Sequence, residues 1–101
     1  MIDLEAEDLE VIKGILKQWV PDCEVRAYGS RVKGTARKYS DLDLELIGKN
    51  PIESTRIEAL REAFAVSDLP MIVDVQDQAR ISLEFRRVID QQYEAIQKPT
   101  E

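Results

Sequence analysis

The chain reads as an α/β (α+β) domain, a small mixed β-sheet with helices packed on one face. Two periodicities predict it. Apolar residues recur at steps of three and four in three segments, and polar and apolar residues alternate in others. At 101 residues there is room for one core, and no Gly-, Pro- or Ser-rich stretch separates a second. The domain is expected over residues 1–98, with 99–101 a frayed tail.

Leu9, Ile12, Leu16 and Trp19 mark an amphipathic first helix with Trp19 in the core, and Pro21-Asp22 ends it. Glu24 to Tyr28 alternates as a short strand running into Gly29. From Asp41 to Ile47 the alternation is clearer, with Leu42, Leu44 and Leu46 on one face and Asp41, Asp43 and Glu45 on the other. Gly48 to Pro51 forms a turn. A second helix is expected from there, with Asn50 as N-cap, Pro51 in its first turn and Glu53 completing a capping box. Ile57, Leu60 and Phe64 supply its buried stripe, and Ser67 to Pro70 breaks it. Met71 to Val75 is strand-like, and Phe85, Ile89, Tyr93 and Ile96 predict a last helix. The leucine face of the sheet should meet the helices and leave the carboxylate face open to solvent.

Composition excludes several chemistries. There is no histidine and one cysteine, Cys23, so Cys/His zinc sites, Cys-His nucleophiles, the Ser-His-Asp triad and internal disulfides are ruled out. A net charge of −6 disfavours a general DNA binder. Yet residues 26–38 carry Arg26, Arg31, Lys33, Arg37 and Lys38 and no acid, which suggests a local anion site. The acidic start lacks a signal-peptide pattern, and no apolar run approaches the roughly 20 residues that span a bilayer. A cytoplasmic protein without membrane contact is expected.

The chemistry concentrates in Gly29-Ser30 and Ser40-Asp41-Leu42-Asp43. Gly29 leaves space for a phosphate to approach the backbone, and Ser30 offers a hydroxyl and an N–H. Arg31, Lys33 and Arg37 could neutralise phosphate charge. Asp41 and Asp43, two residues apart on one strand face, can converge on hard cations, and Asp74 on a neighbouring strand could complete the set. Three such carboxylates call for a proton or a divalent cation, and Mg²⁺, which favours oxygen ligands, is the natural one, with two ions expected. A salt bridge to an arginine is the rival explanation of Asp74. Glu45 is expected to be solvated and Tyr39 to be an exposed loop side chain, with base stacking as the alternative.

These residues resemble the signature of the DNA polymerase β-like nucleotidyltransferase superfamily. Gly29-Ser30-Arg31, Gly34-Thr35, Ser40-Asp41-Leu42-Asp43-Leu44 and Val73-Asp74 are most similar to the minimal nucleotidyltransferases of prokaryotes, over nearly the whole chain. Lys38-Tyr39 and Glu45 depart from that pattern. The resemblance implies a nucleotidyltransferase fold, triphosphate binding at Gly29 and Ser30 with Arg31 and Ser40 beside them, and catalytic metal ligation by Asp41, Asp43 and Asp74. It further implies AMP transfer from ATP to a hydroxyl, a tyrosine of a partner HEPN toxin, by the antitoxin of a type VII-like pair. A non-catalytic antitoxin that masks its toxin is the alternative, as is transfer to a small molecule or RNA.

Overall fold

Helix α1 covers Ala6–Trp19 in the computed structural model, which describes residues 2–100. Its buried stripe is Ile12, Leu16 and, just past the helix end, Val20, each fully buried. Glu7 and Asp8 in the first turn and Lys17 in the last complement the helix dipole. Trp19, expected in the core, is instead 36% exposed, because Val20 takes the core position one step further round.

Strand β1 (Glu24–Tyr28) leads through Gly29 into the single-turn helix α2 (Ser30–Lys33). Strand β2 (Leu42–Ile47) pairs antiparallel with β1, and helix α3 (Ser54–Ala65) carries the chain to β3 (Val73–Asp77), parallel to β2. A 3₁₀ turn at Gln78–Arg80 precedes α4 (Leu83–Gln91) and β4 (Glu94–Gln97). The sheet order is β3-β2-β1-β4. The parallel pair needs a crossover, which α3 provides.

One sheet face is core, as the alternation predicts. Val25, Ala27, Leu42, Leu44, Leu46 and Val75 meet Ile12 and Leu16 of α1 and Ile57, Leu60 and Phe64 of α3. The second helix starts later than the capping-box reading has it. Ser54 is its first residue and Glu53 its N-cap, with no side-chain cap bond. Ile52 has to be buried beneath the connection, and its N–H is bound by the Asp77 carboxylate at 2.9 Å, which holds residues 50–53 out of the helix.

The last segment departs further. Tyr93 and Ile96 do not continue the helix, since α4 ends at Gln91 and the chain turns back as β4 to pair antiparallel with β1. Pairing covers the β1 edge, which would otherwise be left with open backbone groups. Gln97 reinforces it by donating from Nε2 to the carbonyls of Val20 (2.9 Å) and Cys23 (3.0 Å). Thr100, within the expected tail, donates from both N and Oγ1 to the Pro21 carbonyl, at 2.9 and 3.0 Å. Glu101 lies outside the described residues.

Asp77 is the polar residue that closes the core. It is 4% exposed and accepts from Ile52 N, from Ala79 N at 3.0 Å and from Arg80 at 2.5 Å. It thereby fixes the β2–α3 connection against the end of β3. Asp77→Ala should lower stability by about 2–3 kcal/mol, since it strands a buried N–H and breaks the ion pair. Urea unfolding should show a lower midpoint with an unchanged slope.

Candidate active site

The second sheet face is built from two cross-strand rows. Tyr28, Asp43 and Asp74 stand opposite one another across β1, β2 and β3, and Arg26, Glu45 and Gln76 form the next row. The alternation that buries the leucines therefore places Asp43 between Tyr28 and Asp74, and Asp41 lies just before β2, exposed to solvent. The structure brings Asp41, Asp43 and Asp74 to one end of the sheet, beside the Gly29-Ser30 turn.

The turn and the middle carboxylate are fitted to each other. Gly29 has φ of +79°, and a Cβ built there would lie 2.4 Å from Asp43 Oδ2. Glycine is required both by the backbone angle and by the approach of the carboxylate. The Gly29 carbonyl accepts from Val32 N and Lys33 N, both at 3.0 Å, which aligns the first turn of α2 immediately after the carboxylate. The N–H groups of Ser30 and Arg31 precede the intrahelical bonds and are the ones a phosphate would meet. Gly34, at φ of +82°, ends the turn.

Electrostatics mark this row. Burial, with the neighbouring charges of Asp74 and Asp41, pushes the Asp43 carboxyl above its ordinary value. Burial and the charges of Asp43, Asp74 and Glu45 also push the Tyr28 phenol far up, so it stays a neutral hydroxyl. Asp74 is half-buried and accepts from Gln76 Nε2 at 3.3 Å rather than from an arginine. Among the described residues no three carboxylates are yet drawn together tightly enough to hold an ion. The donor set nevertheless suits a hard cation, being all carboxylate oxygen with Asp43 short of a counter-charge.

Arg31 is a correction. It is 6% exposed, and its guanidinium donates to the carbonyls of Ser40 (3.0 Å), Asp3 (2.8 Å) and Lys38 (3.2 Å). It clamps the 36–40 loop instead of facing a phosphate. The Ser40 hydroxyl is engaged as well, accepting from Arg37 N at 2.8 Å in the same loop. Lys33, Arg37 and Lys38 are exposed, as is Tyr39, whose ring lies 5.4 Å from Lys38 Nζ.

Glu45 is a second correction. The solvated side chain that the alternation suggests is fully buried, with Oε2 accepting from Gln78 Nε2 at 3.3 Å and Oε1 without a partner among the described residues. Its burial comes with α4 leaning on the carboxylate face. Phe85 meets Tyr28 edge-on at 5.7 Å, Asp90 pairs with Arg26 at 3.2 Å, and Arg26 lies 4.2 Å over the Tyr93 ring. Burial pushes the Glu45 carboxyl up, though Gln78 and the charge of Arg26 oppose the shift. Sequence reasoning missed Tyr28 and Gln76 as members of these rows. The signal was there in the alternation, since each lies two residues along its strand from an assigned polar residue.

A protein-family profile described as the nucleotidyltransferase domain matches residues 9–98. The chain is 48% identical over 97 residues to a probable protein adenylyltransferase MntA of Haemophilus influenzae, covering 96% of this chain and 85% of that protein. Its fold superposes on a crystal structure of a toxin–antitoxin with AMP-PNP, at a TM-score of 0.76 and 21% identity over 92% of this chain and 74% of the other. It also matches a complex of a tri-AMPylated Shewanella oneidensis HEPN toxin with MNT antitoxin, at 0.71 and 18% identity, over 96% and 74% of the two chains. No helix of the described residues is long and apolar enough to cross a membrane.

Two outcomes are expected. Gly29→Ala should cost stability and at least about 10-fold in nucleotide affinity, measured by calorimetry, because the new methyl displaces Asp43. Asp43 binds its proton more tightly folded than unfolded, so its contribution is present at low pH and lost as pH rises through the folded value. In metal-free protein Asp43→Asn should therefore raise Tm by about 2–4 °C at pH 7, and the gain should shrink on acidification.

Proposed function

The chain belongs to the nucleotidyltransferase domain family, and we propose that it transfers AMP from ATP to a tyrosine hydroxyl of a partner HEPN toxin, acting as the antitoxin. The observation that carries this reading is the Asp43 carboxylate seated against the bare Cα of Gly29, with Asp74 on its other side. It supports the reading because the turn that would cradle a triphosphate and the acidic row then lie side by side. Residues 1–98 are taken as the single nucleotidyltransferase domain.

Each residue has a task in that reaction. The Gly29-Ser30 turn binds the β- and γ-phosphates through backbone N–H groups and the Ser30 hydroxyl. Asp41, Asp43 and Asp74 would hold two Mg²⁺ ions, which supply charge neutralisation of the triphosphate and acidify the attacking hydroxyl. Asp74, at the far side of Asp43 from the turn, orients that hydroxyl and takes its proton. Tyr28, held neutral, walls the site without competing as a nucleophile. The reading places the protein in the cytoplasm, where ATP is available. It is also supported by the MntA relative, named a probable protein adenylyltransferase, and by the tri-AMPylated state of the HEPN toxin in the structural neighbour.

Labelled ATP, Mg²⁺ and the HEPN protein of the neighbouring gene should give AMP on that protein. Asp41→Asn and Asp43→Asn should each reduce labelling by about 100-fold or more. Neutralisation that survives both substitutions, with no label on the toxin, would establish masking in place of catalysis.

A further inference from the structure

Tyr28 ends β1 on the carboxylate face, directly opposite Asp43 and one residue before the Gly29-Ser30 turn. It is half-buried, and Phe85 of α4 meets its ring edge-on with the centroids 5.7 Å apart. A phenylalanine would make the same ring contact. The hydroxyl is what sets this residue apart, and among the described residues it has no hydrogen-bond partner. A half-buried polar group without a bond costs stability, so its presence there calls for a partner from outside the fold.

Position says where that partner lies. Strand side chains stand roughly perpendicular to the sheet, and tyrosine is longer than aspartate by a ring. The phenol oxygen therefore rises above the Asp43 carboxylate instead of lying beside it. Burial, and then the charges of Asp43 and Asp74 ahead of that of Glu45, hold its proton in place. The order of those charges puts the hydroxyl over the first row rather than back beneath α4, and the retained proton keeps it a donor. The triphosphate runs through the same space. With the β- and γ-phosphates at the Gly29-Ser30 turn, the α-phosphate comes next along the row, over Asp43 and toward Asp74.

We propose that the Tyr28 hydroxyl donates a hydrogen bond to a non-bridging oxygen of the α-phosphate of bound ATP. The proposal rests on ATP binding at the Gly29-Ser30 turn. A neutral donor at that point offsets negative charge that the phosphate brings above a carboxylate, and bonds of this kind to charged oxygens are the stronger ones. It also gives α4 a part in nucleotide binding, since Phe85 fixes the ring whose far end meets the phosphate.

Tyr28→Phe tests this, because it deletes one oxygen and keeps the contact with Phe85. Tm should be unchanged. Calorimetry with ATP and Mg²⁺, in the absence of the partner protein, should show about 10-fold weaker binding. The two α-thiophosphate diastereomers of ATP locate the contact. One should show the same loss as ATP. The other carries sulfur in place of the oxygen that faces Tyr28, and should bind wild type and variant alike because sulfur is a weak acceptor. Equal affinity of wild type and Tyr28→Phe for ATP would overturn the proposal. So would an equal loss with ATP and both diastereomers, which would move the hydroxyl to the ribose or base. A wild type that binds ATP through Tyr28 but labels no partner would remove the transfer reaction and leave this contact standing. A wild type that binds no ATP would overturn both.

Discussion

The Asp43 carboxylate lies so near the Cα of Gly29 that no other residue could occupy the turn without moving it. Much else in the structure follows from that contact. It fixes the β1–β2 register at the end where Tyr28 faces Asp43, and it sets the start of α2 beside an anion rather than away from it. The turn and the acidic row are coupled through that contact, since any shift of the Asp43 carboxylate is felt by both Gly29 and the facing Asp74.

The carboxylate face is also less open than an alternating strand suggests. Asp41, just before β2, stays accessible, while α4 covers the second row through the Arg26–Asp90 pair and reaches Tyr28 of the first row through Phe85. The roof lowers the local polarity around Glu45 and Tyr28 and leaves the Asp41 end of the face the more accessible one. Burial thus separates two acids on the same strand face, Asp43 and Glu45, into different environments two residues apart.

The sheet core and the acidic row could be read in the sequence because both rest on period-two alternation. Leu42, Leu44 and Leu46 and the Gly29-Ser30 to Asp43 spacing needed no long-range information. The elements that escaped are those decided by partners distant in the chain. β4 looked helical because Tyr93 and Ile96 keep a helical spacing from Ile89, and only the vacant edge of β1 makes them a strand. The start of α3 was displaced by Asp77, 25 residues beyond Ile52. The burial of Glu45 depends on α4, and the duty of Arg31 depends on Asp3, on the far side of α1 in sequence. An arginine's charge is visible in a sequence, whereas the carbonyls that absorb its donors are not.

The Arg31 clamp grips the loop ahead of β2 entirely through main-chain carbonyls, those of Lys38 and Ser40, with Asp3 from the amino-terminal segment. Such a grip is indifferent to the side chains it holds. Loop length is constrained, because the carbonyls must arrive in reach, and of the gripped loop residues Ser40 alone is also engaged through its side chain, by Arg37 N. Lys38 and Tyr39, two of the residues that differ from the related pattern, are exposed in this loop, so a change of either side chain leaves the clamp and the acids just beyond it in place.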